Sequence, residues 1–172
     1  SYYYSYSRLK AQGELRLGEN TVAVSGSAWL DHEWSTSVLS AGQQGWDWLA
    51  LQLDNGEELM AFRLRRADGQ RDPADAAVRI ATDGATTHFA PPTFELVASR
   101  YWRDDEDICW PVQWQVQLGN DEYQVHAELE DQRMHTAVRY WVGLMRVYQR
   151  GAPVGKGYLE LTGYQPTSQR CE

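Results

Sequence analysis

The sequence predicts an all-β protein: about ten strands joined by local turns, in an up-and-down antiparallel barrel or closed sandwich. Three observations carry this. Apolar residues recur with period two in short segments, Gly- and Asn-containing turns separate those segments, and no segment holds a sustained helical stripe. At 172 residues the chain suits one well-buried domain and is too short to argue for two.

In chain order, Leu9 to Leu17 and Thr21 to Leu30 read as the first two strands. Trp46 to Leu53 and Leu59 to Arg65 form a hairpin around Asp54-Asn55-Gly56-Glu57, because Asn and Gly both tolerate positive φ. Ala77 to Thr82 and Phe94 to Tyr101 follow. The clearest strand is Val112 to Leu118, where Val112, Trp114, Val116 and Leu118 alternate with three glutamines. Past Gly119-Asn120-Asp121 the same alternation returns in Tyr123, Val125, Ala127 and Leu129, completing a second hairpin. Ala137 to Tyr148 and Gly157 to Tyr164 close the set, and Asp131 to Thr136 has room for one helical turn. Arg66 to Asp75 and Arg103 to Pro111 are the expected long loops. The acidic run Asp104-Asp105-Glu106-Asp107 reads as a solvated loop, since calcium needs converging oxygens.

A closed barrel removes exposed strand edges, and at eight to ten strands its interior has room for one small ligand. Eight Trp and ten Tyr against three Phe favour rings with a polar handle. Such rings suit a ligand cavity and equally a β-rich core whose ends meet water. A net charge of −8 argues against nucleic acid and anionic membranes as partners. No apolar run approaches the ~18–20 residues of a membrane-spanning helix. The chain opens Ser1-Tyr2-Tyr3-Tyr4 without a methionine, so a processed or excised piece of a longer protein is expected. Cys109 and Cys171 either close one disulfide in an oxidising compartment or are two unrelated thiols.

Chemistry concentrates in Trp29-Leu30-Asp31-His32-Glu33-Trp34, three ionisable side chains between two tryptophans at the end of a strand. Neighbours on a strand point to opposite faces, so Asp31 and Glu33 share one face and His32 the other. The three therefore cannot close on one metal ion without a bulge. His88, His126 and His135 lie scattered, without CxxC or HxxxH spacing, so no metal and no cofactor is expected. There is no GxSxG elbow for a serine hydrolase and no phosphate loop. What remains is a carboxyl group whose pKa rises in an apolar, ring-lined cavity, so that it donates a proton near neutrality. The competing structural role is a salt bridge from Asp31 or Glu33 to Arg8, Arg63 or Arg139. Taking Val22, Val24, Gly26, Ala28 and Leu30 as the inward set places His32 and Trp34 inside and Asp31 and Glu33 outside. A kink at Gly26 inverts that register.

Several phrases together resemble a known family: Tyr3-Tyr4-Ser5 through Arg8-Leu9, Val24 to Trp34 with its Asp-His-Glu-Trp, and Gly45-Trp46-Asp47-Trp48. Trp110-Pro111-Val112-Gln113-Trp114, Tyr140-Trp141 and the closing Gly157-Tyr158-Leu159-Glu160-Leu161-Thr162-Gly163-Tyr164 extend the likeness over nearly the whole chain. It is similar to the lipocalin-like proteins grouped with AttH and the carotenoid 1,2-hydratases (hydroxyneurosporene synthases). The resemblance implies an up-and-down lipocalin-like β-barrel over residues 1–172, as the C-terminal of two such domains in one chain. It further implies a bacterial envelope protein, periplasmic, secreted or lipid-anchored, often labelled a secreted hydrolase and sometimes associated with FtsX-like ABC transporter components. In the hydratases an aspartate protonates a polyene double bond so that water adds to the tertiary cation; Asp31 is the position carried over. The family commonly has Glu after its Tyr-Trp pair, where this chain has Val142, and that departure favours a binding or structural role. Fold and function separate easily within such families.

Three readings follow, in order. The first is a barrel binding an extended apolar molecule such as an isoprenoid, lipid or polyene, with Trp29, Trp34, Trp46, Trp48, Tyr140, Trp141 and Tyr158 lining the site. The second is a hydratase- or hydrolase-type enzyme on such a ligand, with Asp31 as general acid and His32 or Glu33 orienting it. The third is a structural or interaction domain.

Overall fold

The structure, a computed structural model, describes residues 2–37, 39–134, 136 and 139–171. His135, Ala137 and Val138, and with them the expected start of the penultimate strand, lie outside the described residues. The chain divides into two compact units, Ser1–Val38 and Leu39–Glu172. No helix long and apolar enough to cross a membrane occurs among the described residues.

The first unit is one long antiparallel hairpin of β1 (Tyr2–Leu17) and β2 (Asn20–Trp34). Leu17 pairs with Asn20 across Gly18-Glu19, a tight turn that Gly18 permits at φ +62°. The register runs unbroken from Tyr2↔Trp34 to Tyr6↔Leu30 and resumes at Leu9↔Ala28 after a bulge on β1. Because the irregularity lies opposite β2 rather than at Gly26, residues 22 to 34 of β2 keep one parity throughout. Val22, Val24, Ala28, Leu30, His32 and Trp34 share a face, and Asp31 and Glu33 occupy the other.

The second unit is a curled antiparallel sheet. Its strands are β3 (Gln43–Leu53), β4 (Glu58–Arg66), β5 (Ala76–Ile80), β6 (Thr86–Phe89), β7 (Phe94–Arg103), β8 (Cys109–Leu118), β9 (Asp121–Ala127), β10 (Arg133–Met134), β11 (Tyr140–Gln149) and β12 (Ala152–Thr162). Nine of them run in the order β6-β5-β4-β3-β12-β11-β9-β8-β7, and β10, off that path, pairs with β11. This is an up-and-down meander whose first strand meets its last, at β3–β12, and which stays open between β6 and β7. It has the expected lipocalin-like character.

Arginines reach across the open side. Arg63 Nη1 donates to the Leu96 carbonyl at 3.2 Å, Arg71 pairs with Glu95 at 2.7 Å and Arg79 with Asp121 at 2.6 Å. β6 and β10 were not foreseen. Thr86–Phe89 carries too few residues to show a period, and β10 is two residues long. The stretch from Asp131 to Thr136, expected to hold a helical turn, contributes β10 instead.

Parity decides what lies inside the curl. Leu49, Leu51, Leu59, Leu159, Leu161, Met145, Val147, Val125, Val112 and Val116 meet in one core with fully buried Trp110, Trp114 and Trp141. The interior is thus filled by its own side chains, not held open as a ligand hollow. Large rings at inward positions on β8 and β11 leave a half-closed sheet little else to enclose.

Cys109 and Cys171 form a disulfide across 62 residues of sequence. It fastens the segment after β12 to the start of β8, where Ile108 bridges Pro166 and Thr167 N donates to Asp107 O at 2.9 Å.

Candidate functional site

The predicted site residues fall on three surfaces. On the hairpin, Asp31 is exposed and its Oδ1 accepts hydrogen bonds from Ser5 Oγ at 2.5 Å and Trp29 Nε1 at 2.8 Å. Ser5 faces Asp31 directly across the pair, so the contact follows from register. On the opposite face His32 stacks on Tyr4 with centroids 5.3 Å apart, and Trp34 stacks on Tyr2 at 5.6 Å. His32 also meets Trp34 edge to face at 5.3 Å. The six-residue motif is therefore split: Trp29, Asp31 and Glu33 stand on one side, His32 and Trp34 on the other. His32 is not placed to orient the Asp31 carboxylate. Of the arginines considered as partners for Asp31 or Glu33, Arg63 pairs with Asp47 and Arg139 with Glu106 instead.

In the second unit Trp46, Trp48, Tyr140 and Tyr158 share the outer face of the sheet, since Trp48 pairs with Glu160 and Glu160 with Val142. Trp46 donates its indole N–H to Glu160 Oε1 at 2.6 Å and meets Tyr140 edge to face at 6.0 Å. Tyr158 is about half exposed. Trp141, expected with these rings, is instead a core residue with no exposed surface, its N–H donated to the Glu130 carbonyl at 2.8 Å. Adjacent strand residues point opposite ways, so Tyr140 and Trp141 cannot both line one surface.

Beside Tyr140 a cleft of about 490 Å³ opens at one end of the sheet. Its apolar side is Ile108, Trp110 and Met134, and its polar rim includes Arg133, Arg139 and Thr162. The residue that positions this cleft, Asp104, was assigned to a solvated loop and is in fact buried. Its Oδ1 accepts from the backbone N–H groups of Glu106 at 2.9 Å and Ile108 at 2.8 Å. Its Oδ2 accepts from the Trp110 indole at 2.8 Å and Arg133 at 3.1 Å. Burial alone would raise its pKa. The Trp110 N–H, the two backbone donors and the Arg133 charge outweigh that and hold it below the ordinary aspartate value. The signal available in the sequence was local: Asp followed by N–H donors two and four residues on, the pattern of an Asx-type turn.

A second buried acid was missed altogether. Asp47 has no exposed surface and sits at an inward position of β3, in parity with Leu49 and Leu51. Arg63 donates to its Oδ2 from Nη2 at 2.6 Å and Nε at 3.0 Å. Arg65 Nε reaches Oδ1 at 3.1 Å, and the Tyr164 hydroxyl donates to the same oxygen at 2.8 Å. The guanidinium of Arg65 lies 3.8 Å from the Tyr164 ring centroid, and that of Arg63 lies 5.4 Å from Trp114. Four donated hydrogen bonds and two guanidinium groups thus occupy both oxygens of the Asp47 carboxylate. Burial pushes the Tyr164 hydroxyl well above its usual range, and the Asp47 charge adds to that. An Asp alternating with leucines was the readable sign.

Comparison with known proteins completes the picture. A family model described as AttH-like matches residues 1–164. The crystal structure of an AttH from Nitrosomonas europaea is similar at 34% identity and a TM-score of 0.87, over 95% of this chain and 52% of that one. Kievitone hydratase from Nectria haematococca is similar at 15% identity and a TM-score of 0.76, over 94% of this chain and 52% of that one, a likeness of fold alone. The chain thus spans about half the length of either. No curated protein matches.

Proposed function

The chain belongs to the AttH-like family, and on that premise we propose that it is a lipocalin-like module binding an extended apolar ligand, such as an isoprenoid, lipid or polyene. In this reading it works beside a second lipocalin-like domain of the same protein in a bacterial envelope compartment. The observation that carries the reading is the cleft of about 490 Å³ beside Tyr140. Its volume falls within the ~300–1,000 Å³ of small-molecule sites, and Met134 and Tyr140 are its accessible apolar groups beside a polar rim. Tyr140 joins it to the outer rings of Trp46, Trp48 and Tyr158, which offer an apolar track along the sheet. The Cys109–Cys171 disulfide supports the envelope location, because such bonds persist in oxidising compartments. Partnership with ABC transporter components rests on the family resemblance alone.

Farnesol and palmitate are suitable probes. Binding should quench tryptophan fluorescence, and Gln165→Trp, which fills the exposed rim, should weaken it at least tenfold with an unchanged melting temperature. Absence of quenching by either probe, together with no apolar molecule in native mass spectra of the purified chain, would sink the reading.

An enzymatic role for Asp31 is favoured by one observation, the defined seat given to its carboxylate by Ser5 and Trp29. The carboxylate is exposed, so the role requires the site to be enclosed by something further. Asp31→Asn should abolish turnover of a polyene while sparing its binding; an unchanged rate rules the role out.

A further inference from the structure

At the other end of β11 from Tyr140, two tight turns stand side by side within the second unit. Leu118 pairs with Asp121 across Gly119-Asn120, and Gln149 pairs with Ala152 across Arg150-Gly151. Because β9 pairs with β11, Gln124 lies beside Tyr148 on the outer face, and Glu122 follows on the same side. A bulge in β12 opposite Val147 and Tyr148 interrupts the ladder at this end. Between the turns is a concavity of about 360 Å³, lined by Asn120, Asp121, Glu122, Gln124, Tyr148, Gln149 and Arg150. Its volume falls within the ~300–1,000 Å³ of small-molecule sites.

We propose that this concavity is a binding site for a neutral saccharide. No aliphatic side chain lines it, so an apolar ligand finds no wall there. Its charges balance: Asp121 is paired with Arg79 at 2.6 Å, and Glu122 and Arg150 have opposite signs. That balance favours a neutral ligand over an anion or a cation. Asn120, Gln124 and Gln149 bring amides that both donate and accept hydrogen bonds, as every sugar hydroxyl does. Tyr148 offers a ring face to the C–H side of a pyranose and a hydroxyl at its tip. Among the described residues, no ion pair or hydrogen bond to another side chain engages Asn120, Glu122, Gln124, Gln149 or Arg150. In the cleft at the opposite end, by contrast, Arg133 carries three carboxylates and Arg139 one. The polar groups of the concavity are thus left unused by the fold. Arg150 is a separate sign, with φ at +50° beside Gly151 at +80°. A two-residue turn with both φ positive suits Asn, Asp or Gly, so Arg there strains the backbone. A strained residue whose side chain lines the concavity points to binding, not to folding. The proposal is independent of the apolar cleft.

The test titrates this chain with cellobiose, maltose and chitobiose and follows its backbone amides by NMR. At least one disaccharide should give saturable shifts centred on residues 120–124 and 148–150. Tyr148→Ala should weaken that binding at least tenfold, whereas Gln70→Ala, on the exposed loop between β4 and β5, should leave it within twofold. Arg150→Asn keeps the test sound if Tyr148→Ala does not fold. Asn accepts the left-handed backbone, so this variant should melt at a higher temperature than the parent and yet bind at least threefold more weakly. Loss of binding in a more stable protein cannot be put down to unfolding. Four outcomes would each overturn the proposal: no shift with any of the three sugars, shifts scattered away from the two turns, shifts with inorganic phosphate alone, or an Arg150→Asn variant that binds as the parent does.

Discussion

The Tyr164 hydroxyl donates to Asp47 Oδ1 at 2.8 Å, joining residues 117 apart in sequence. Through this contact the segment leaving β12 is locked onto the inward face of β3, beside the pairing that brings the first and last strands of the sheet together. Arg63 and Arg65 hold the same carboxylate. Replacing Asp47 with Asn leaves two guanidinium groups facing a neutral amide. A cost of about 3 kcal/mol is expected in urea unfolding, at the low end for breaking a buried pair because the Arg63 side chain is 32% exposed.

Tyr164→Phe should cost about 1 kcal/mol at neutral pH, from the lost hydrogen bond to Asp47. The pH dependence has a definite sign. The hydroxyl pKa is raised in the folded state, so the folded chain holds that proton more tightly than the unfolded chain. Its contribution is complete below the ordinary tyrosine pKa of about 10 and is lost as pH rises above it. Unfolding midpoints between pH 9 and 11.5 should fall more steeply for the parent than for Tyr164→Phe.

Asp104 predicts the opposite dependence. Its folded pKa lies below the ordinary value, so its contribution is present above about pH 4 and is lost as pH falls through the folded pKa. Asp104→Asn should flatten the loss of stability between pH 5 and pH 2, and at neutral pH should loosen the turn at Glu106 and Ile108. Amide exchange of Ile108, whose N–H it binds at 2.8 Å, is the readout.

Reducing the Cys109–Cys171 disulfide releases a 62-residue closure. Chain-entropy arguments place such a bond at about 4 kcal/mol, with ~2–4 kcal/mol commonly measured. Thermal unfolding with and without dithiothreitol should differ accordingly, and residues 165–171 should become protease-sensitive first.

Gly157 marks the closure of the sheet. A Cβ there would lie 2.0 Å from the Ala50 carbonyl oxygen and 2.7 Å from Leu51 Cα, backbone atoms that cannot yield. Gly157→Ala should cost at least ~2 kcal/mol, read by denaturant unfolding, and should weaken amide protection on β3 and β12 together.

Much of this was legible in advance because strand geometry is local. A side-chain period of two is a property of the extended backbone, so Val112 to Leu118 declared its inward row without knowledge of any partner, whereas the facing of Asp31 stayed open until pairing placed the bulge on β1 rather than at Gly26. Asn-Gly and Gly-Asn turns likewise act over four residues, which is why both predicted hairpins are present. Short β6 and β10 carried too few residues for a period to show.

The fates of the acids were another matter. Asp31, flanked by tryptophans, stands in the open, while Asp47 and Asp104 are buried. Whether a carboxylate is burdened or relieved depends on donors arriving from elsewhere: Arg63 and Arg65 from the neighbouring strand, Tyr164 from the end of the chain, Arg133 from a strand two residues long. Those encounters follow from strand order and sheet curl, which couple residues a hundred positions apart and leave no trace in the alternation of any one segment.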